Sequence, residues 1–150
     1  MRLFFAILLC KLVRLVLRLA GRGGTALPGK IALRVCPDML SRLSRGVTAV
    51  MVTGTNGKTT TCRMLEQMLR DAGRDCFANR SGSNLERGIA ADFAANANLF
   101  GRPKRRFAVI ECDEAAFRRV CGEVKPAVAV VTNIFRDQLD RYGEVTHTLA

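Results

Sequence analysis

The feature that most constrains the fold is residues 47–61, where an apolar run breaks into a loop held between two glycines and ends on Lys-Thr-Thr. The run at residues 47–53 is short, rich in β-branched residues and not interrupted by a charged residue, as expected of a parallel strand covered on both faces. From residue 59 to residue 72 the apolar residues recur with helical spacing. A strand, a glycine loop and a helix in this order predict an α/β fold with a parallel sheet and a phosphate-binding loop.

The loop has the composition that phosphate binding requires. Its glycines let the backbone turn so that N–H groups and the positive end of the helix face one anion, while lysine and threonine can reach phosphate and Mg²⁺. The candidate residues for a nucleoside triphosphate are Gly54, Thr55, Asn56, Gly57, Lys58, Thr59 and Thr60. The usual pattern has a further glycine where Val52 stands, so a turn that uses glycine for geometry alone is the competing interpretation.

A second candidate for the site is the acid that follows residues 107–110. This stretch has the composition of a buried strand and leads directly to Glu111, a carboxylate suited to holding Mg²⁺ opposite the phosphate loop. Asp113 and Glu114 come next. We expect these two acids only to favour the first turn of a helix over residues 113–121 through its dipole.

Polar residues also follow two other predicted strands. Residues 75–78 lead to the polar turn 79–85, where Ser83 or Asn84 could cap a helix that runs to about residue 98. Residues 127–132 lead to another polar stretch, and their outer edge is expected to be apolar and exposed. Since parallel strands end on one side of a sheet, we expect these clusters to lie beside the phosphate loop.

The amino-terminal third is predicted to begin with a basic amphipathic helix. Residues 3–20 are apolar except for Lys11, Arg14 and Arg18, which at about 100° per residue share one narrow arc. Two interpretations remain open: a helix on a membrane face, with peripheral contact through residues 1–22, or a helix packed on its own domain with a solvated basic edge. A secretory signal or a spanning helix fits the pattern less well.

The distribution of charge supports two regions and argues against nucleic acid. Of the formal net charge of +11, residues 1–45 carry nine Lys/Arg against one Asp, and residues 46–150 carry fifteen against twelve acids. The aromatic residues lie mostly in apolar runs rather than interleaved with basic residues, so no nucleic-acid partner is expected. The predicted division is a helix and Gly-rich connector over 1–45 and a nucleotide-binding domain over 46–150.

The motifs resemble those of the Mur ligases. Residues 53–60, T-G-T-N-G-K-T-T, are similar to the nucleotide loop of that family, and Thr132-Asn133 followed by D-Q-L-D at 137–140 resembles its later T-N…D-H-x-D element. The phrases at 21–30, 79–85 and 135–144 are similar to the MurT-type branch. The resemblance implies an incomplete Mur ligase central ATP-binding domain.

The resemblance also implies an activity. It is an ATP-dependent amide ligase of peptidoglycan synthesis that converts the D-isoglutamate carboxylate of lipid II to an acyl phosphate for amidation by ammonia. A GatD-type glutaminase would supply the ammonia, at the cytoplasmic face of the membrane. Lys58 would contact the transferred phosphate, Thr59 and Glu111 would hold Mg²⁺, Asn133 would contact the nucleotide, and Asn84 would face the substrate.

The chain departs from the family pattern in two respects. Gln138 stands where most Mur ligases have a metal-binding histidine, so it is a weaker third Mg²⁺ candidate. The family's third domain and the zinc ribbon of the MurT branch would lie beyond residue 150, and the six cysteines here form no C-x-x-C pair. We therefore expect this chain alone to bind nucleotide weakly and to leave lipid II unmodified. The alternatives are a nucleotide-binding fragment without ligase activity, a folylpolyglutamate-synthase-like ligase, or a P-loop ATPase acting on nucleic acid.

Overall fold

The computed structural model describes residues 1–21, 24–79 and 84–134. In these ranges the elements are α1 Arg2–Leu19, α2 Ala26–Val35, α3 Met39–Leu43, β1 Thr48–Thr53, α4 Lys58–Asp71, β2 Cys76–Ala78, α5 Glu86–Asn96, β3 Phe107–Glu111, α6 Glu114–Val124 and β4 Val128–Val131. Apart from α2, their ends agree with the predicted ones to within three residues. Gln138 and the phrase at 135–144 lie outside the described residues.

The four strands form one parallel sheet in the order β2-β3-β1-β4. Strand β1 is central: its Val50 pairs with Val109 of β3 on one side and with Val128 of β4 on the other. This confirms the predicted α/β fold with a parallel sheet. At the β4 edge Val128 and Val131 are half exposed, as the sequence predicted.

Both faces of the sheet are covered, which explains why β1 and β3 are apolar at successive positions. On one face Val52 and Val109 form a small cluster with Cys62 and flanking residues of α4. On the other, Met51 and Ile110 join a larger core shared with the remaining helices. Helix α4 therefore covers one face of the sheet and the other helices cover the opposite face.

The Gly-rich connector, which the sequence predicts over residues 21–30, is shorter, because helix α2 already begins at Ala26. Pro28 is compatible with a first helical turn, where its missing N–H has no helical partner to lose. Gly29 is buried where α2 crosses α5, and a Cβ at this position would collide with the carbonyl of Arg87. The glycine thus serves a close helix contact rather than a flexible linker.

Helix α1 packs on α2 and α5, and its buried residues belong to the same core as the sheet. Two of the three cations in its row, Lys11 and Arg14, face inward, whereas Arg18 is exposed. The helix therefore packs on its own domain, as one interpretation predicted, but without a fully solvated basic edge, and the membrane interpretation stays a prediction. The Lys11 ammonium donates to the carbonyl of Ala97 at the end of α5, and the Arg14 guanidinium lies 3.0 Å from the Asp92 carboxylate. The negative end of α5 and a buried acid attract these cations. The division at residue 45 stays a prediction.

Burial raises the pKa of the Asp92 carboxyl, and the neighbouring Arg14 guanidinium opposes that shift. Arg14 therefore acts as the internal counter-ion that lets α5 keep an acid in its buried face. Within the described residues, no helix has the length and apolar character needed to cross a membrane.

Candidate nucleotide site

The loop between β1 and α4 depends on two glycines with positive φ. Gly54 has φ 128° and Gly57 has φ 85°, backbone conformations that other residues rarely adopt. At Gly54 space is also restricted, because a Cβ would lie 2.6 Å from the carbonyl oxygen of Asn133 and would collide with the Thr132 hydroxyl. Gly54 is therefore required both for the turn and for the close approach of the segment after β4.

That segment clamps the loop through a set of hydrogen bonds. The Thr132 hydroxyl donates to the Asn56 carbonyl at 2.8 Å. The Asn133 side chain accepts from the Asn56 N–H at 2.9 Å and donates to its carbonyl at 3.0 Å, and the Thr55 N–H donates to the Asn133 carbonyl at 2.8 Å. The structure thus brings Asn133 to the loop. Thr132 was not predicted as a site residue, although its hydroxyl directly after a strand was a visible signal.

Lys58, the first residue of α4, folds back over the loop. Its ammonium donates to the carbonyls of Gly54 and Thr55, the latter at 3.2 Å, and lies 3.6 Å from a carboxylate oxygen of Glu114. The Lys58 side chain is 14% exposed and the Glu114 side chain 7%. The expectation that Glu114 serves only the helix dipole is therefore wrong, since a buried carboxylate needs the lysine as its partner. Asp113 acts at the start of α6, as expected, but as its N-cap, with a side chain that accepts from the Ala115 N–H at 3.1 Å.

Glu111 and Thr59 meet on the other side of the loop. The Thr59 hydroxyl donates to a Glu111 carboxylate oxygen at 2.9 Å. The Glu111 backbone is held by the side-chain amide of Asn79, which accepts from its N–H at 2.8 Å and donates to its carbonyl at 2.6 Å. The amide continues the pairing of β2 with β3 by one residue. This role of Asn79 was not predicted, and its place directly after a strand was the only signal for it in the sequence.

These groups fit a nucleoside triphosphate with its metal. Helix α4 begins at a glycine that offers no side-chain cap, so its first N–H groups can face an anion next to the Lys58 ammonium. Thr59 and Glu111 supply two oxygen ligands, which suits Mg²⁺, because this ion takes few protein ligands and completes its shell with phosphate and water. Among the described residues, no group of three or more His, Cys, Asp or Glu side chains is arranged to hold a metal ion.

Asn84 lies at the end of β3, where its carbonyl accepts from the Asp113 N–H at 2.9 Å. It does not cap α5, whose cap residue is Leu85. A cavity of about 480 Å³ opens beside Thr59 and Glu111 and reaches Cys62 of α4. Burial raises the pKa of this thiol to about 12, so Cys62 lines the cavity as a neutral group and is no nucleophile at neutral pH.

The central strand of the parallel sheet leads into a G-x-x-G-K-T loop, and a lysine, a hydroxyl and a strand-end acid surround this loop. These features define a P-loop nucleotide-binding domain. Residues 52–150 match the family model described as Mur ligase middle domain. The chain belongs to the Mur ligase family.

Two curated relatives share most of the chain. It is 42% identical over 146 residues to the lipid II isoglutaminyl synthase (glutamine-hydrolyzing) subunit MurT of Staphylococcus aureus (strain COL), which covers 97% of this chain and 32% of that protein. It is 43% identical over 134 residues to MurT of Streptococcus pneumoniae (strain ATCC BAA-255 / R6), covering 89% and 29%. The chain thus spans about a third of the length of these relatives.

The fold is also shared with a solved structure. MurF from Acinetobacter baumannii matches with a TM-score of 0.62 and 22% identity, covering 79% of this chain and 25% of MurF. This likeness confirms the fold class predicted from the sequence.

Replacing Glu111 by Gln is expected to weaken Mg²⁺-dependent nucleotide binding by about tenfold or more while leaving the fold intact. The amide keeps the size of the side chain and an acceptor for Thr59 but loses the charge that attracts the metal. The measurement is titration with a fluorescent ATP analogue with and without Mg²⁺. Asp75→Asn, which neutralises an exposed acid, is the control. An unchanged Mg²⁺ dependence in Glu111→Gln would show that another group holds the metal.

Proposed function

We propose that this chain provides the ATP site of an amide ligase of peptidoglycan synthesis that acts on lipid II. The observation that carries the proposal is the joint placement of the Lys58 ammonium, the α4 N-terminus and the Thr59–Glu111 pair around one loop. Together these groups can neutralise the charge that builds on a phosphoryl group during its transfer.

Each residue has a distinct part in this proposal. Lys58 contacts the transferred phosphate, and Glu114 holds the lysine close to the loop. Thr59 and Glu111 bind Mg²⁺, which neutralises phosphate charge when bound, and Asn79 fixes the strand end that carries Glu111. Gln138 is a further proposed metal ligand. The remaining nucleotide contacts are assigned to Gly54, Thr55, Asn56, Gly57, Thr60 and Asn133.

The acceptor is proposed to be the D-isoglutamate carboxylate of lipid II. Transfer of the γ-phosphoryl group of ATP to this carboxylate would give ADP and an acyl phosphate, and ammonia would then attack the carbonyl carbon and displace inorganic phosphate. Asn84, beside the end of β3, would face the carboxylate. The similarity to MurT supports this choice of substrate, because those relatives are named as subunits of a glutamine-hydrolysing lipid II isoglutaminyl synthase. A GatD-type glutaminase is the proposed source of ammonia, and the cytoplasmic face of the membrane is the proposed location.

The test uses a chimera, since the chain aligns over 146 residues with one third of the S. aureus relative. The aligned part of that MurT is replaced by this chain, and the chimera is incubated with ATP, Mg²⁺, ammonium and lipid II. We expect amidated lipid II by mass spectrometry, and none from the same chimera carrying Lys58→Ala. The isolated chain is expected to bind nucleotide weakly and to give no product.

Two of the alternatives predict distinct results when the chimera is given lipid II or, separately, a folate with glutamate. A folded chimera that binds ATP but never forms product would identify the chain as a nucleotide-binding module without this ligase role. Transfer of glutamate to a folate, with lipid II left unchanged, would favour the folylpolyglutamate-type ligase. Product from the isolated chain above its Lys58→Ala control would show that residues 1–150 suffice.

A further inference from the structure

Helix α1 turns a continuous apolar surface away from the protein. This surface, the α1 outer face, consists of five large side chains that are each at least half exposed: Phe5 56%, Leu12 50%, Leu15 53%, Val16 63% and Leu19 81%. At about 100° per residue they fall within an arc of about 100°, and no charged residue of α1 lies in that arc. An exposed apolar surface of this extent marks an interaction site.

The α1 outer face is extended by the loop that follows α5. Phe100 is 80% exposed, and its ring centroid lies 6.2 Å from that of Phe4. On the opposite side of α1 the buried residues Ala6, Ile7 and Cys10 pack inward, and Lys11 contacts α5. The helix therefore packs on its own domain through Ala6, Ile7, Cys10 and Lys11 and presents five of its larger apolar side chains outward.

The charges around this face indicate what covers it. Residues 1–37 contain seven Lys/Arg and no Asp or Glu. Arg2 and Arg18 are exposed on either side of the arc, and Lys30 and Arg34 are exposed on the neighbouring helix α2. A surface that is apolar at its centre and cationic at its rim complements anionic lipid headgroups above acyl chains. Two copies of the chain placed face to face would instead bring their cationic rims together.

We infer that α1 lies in the plane of an anionic bilayer, with the α1 outer face at the boundary between headgroups and acyl chains. The 18 residues of α1 extend about 27 Å along that plane. The lipid contact is inferred from α1 and its surroundings alone. Its purpose, to bring the nucleotide site to a lipid-borne substrate, rests on the proposed function. The inward orientation of Lys11 and Arg14 means that apolar burial and the remaining cations supply the contact.

The experiment is co-sedimentation of the full 150-residue chain with vesicles of phosphatidylglycerol and phosphatidylcholine, or of phosphatidylcholine alone, at matched salt. The test variant is Leu12→Gln/Val16→Gln on the α1 outer face. Its matched control is Met64→Gln/Met68→Gln on α4, a pair with the same spacing and with 56% and 60% exposure. We expect the parent and the control to bind anionic vesicles, and the test variant to lose affinity by about tenfold or more.

A second variant and a second measurement keep the outcomes distinct. Arg18→Gln leaves the apolar arc intact and should weaken binding in a way that added salt reduces. The inference would be overturned if the parent and Leu12→Gln/Val16→Gln sedimented equally with anionic vesicles. It would also be overturned if the parent bound neutral vesicles as well as anionic ones, or bound neither. A lipid-free dimer, seen by sedimentation velocity, that the test variant dissociates would overturn it as well. Nucleotide affinity, measured without lipid, should be the same in all variants; its absence in the parent would count against the proposed function alone.

Discussion

Lys58→Ala is expected to lower the affinity of the chain for ATP by about 100-fold or more, which corresponds to about 3 kcal/mol. The ammonium is nearly buried over the loop, where it donates to the carbonyls of Gly54 and Thr55 and pairs with Glu114. A phosphate bound at the loop would lose the positive charge of the lysine, while Gly54 and Gly57 would still shape the turn. The measurement is titration with a fluorescent ATP analogue.

The control for Lys58→Ala uses Glu114, the ion-pair partner of the lysine. Removing Lys58 leaves the Glu114 carboxylate buried without its cation, which itself destabilises the fold. Adding Glu114→Gln should recover most of the lost stability in urea without restoring ATP binding. If the double variant bound ATP as the parent does, Lys58 would serve folding rather than phosphate, and the competing interpretation of the loop as a plain turn would hold.

The general position of the site could be predicted from the sequence because strand ends are local features. A parallel sheet brings the carboxyl ends of its strands to one edge, so residues that follow β1, β3 and β4 had to meet there. Residue type then indicated Lys58 and Glu111 as candidates. Their roles remain predictions, although the structure places both beside the loop.

The supporting residues could not be predicted, because they depend on three-dimensional contacts between distant segments. Asn79 reaches Glu111 across 32 positions, and Thr132 reaches Asn56 across 76. Glu114 has the same local signature as an acid that merely favours a helix start, and only the position of Lys58 distinguishes the two roles. Polar residues directly after apolar strands are thus stronger candidates than their residue type alone suggests.

The predicted solvated basic edge of α1 was wrong at Lys11 and Arg14 for a related reason. Helical periodicity predicts that a row of cations shares one side of a helix but leaves open what lies opposite that side. Here it is the end of α5 and the buried Asp92, neither of which is apparent from residues 1–22. Connector length was misjudged because glycine favours flexible segments but also allows helices to approach closely, as Gly29 does.

Gly29→Ala tests that close approach and is expected to destabilise the protein by about 3 kcal/mol. Alanine is the better helix former, so α2 alone would gain about 1 kcal/mol from the change. The new Cβ, however, would collide with the carbonyl of Arg87, and its distance to that carbonyl carbon would be 2.7 Å. Backbone atoms cannot rotate away as a side chain can. Helices α2 and α5 must therefore separate and lose the packing between them.

Gly122→Ala provides the matched control in the same assay, urea unfolding followed by circular dichroism. Gly122 also lies inside a helix, but nothing is within 4 Å of the position its Cβ would take. The same substitution should therefore stabilise α6 by about 1 kcal/mol, opposite in sign to Gly29→Ala. If both variants were stabilised alike, α2 would not contact α5 as described. The amino-terminal helices would then be independent of the nucleotide-binding domain, as the division at residue 45 first suggested.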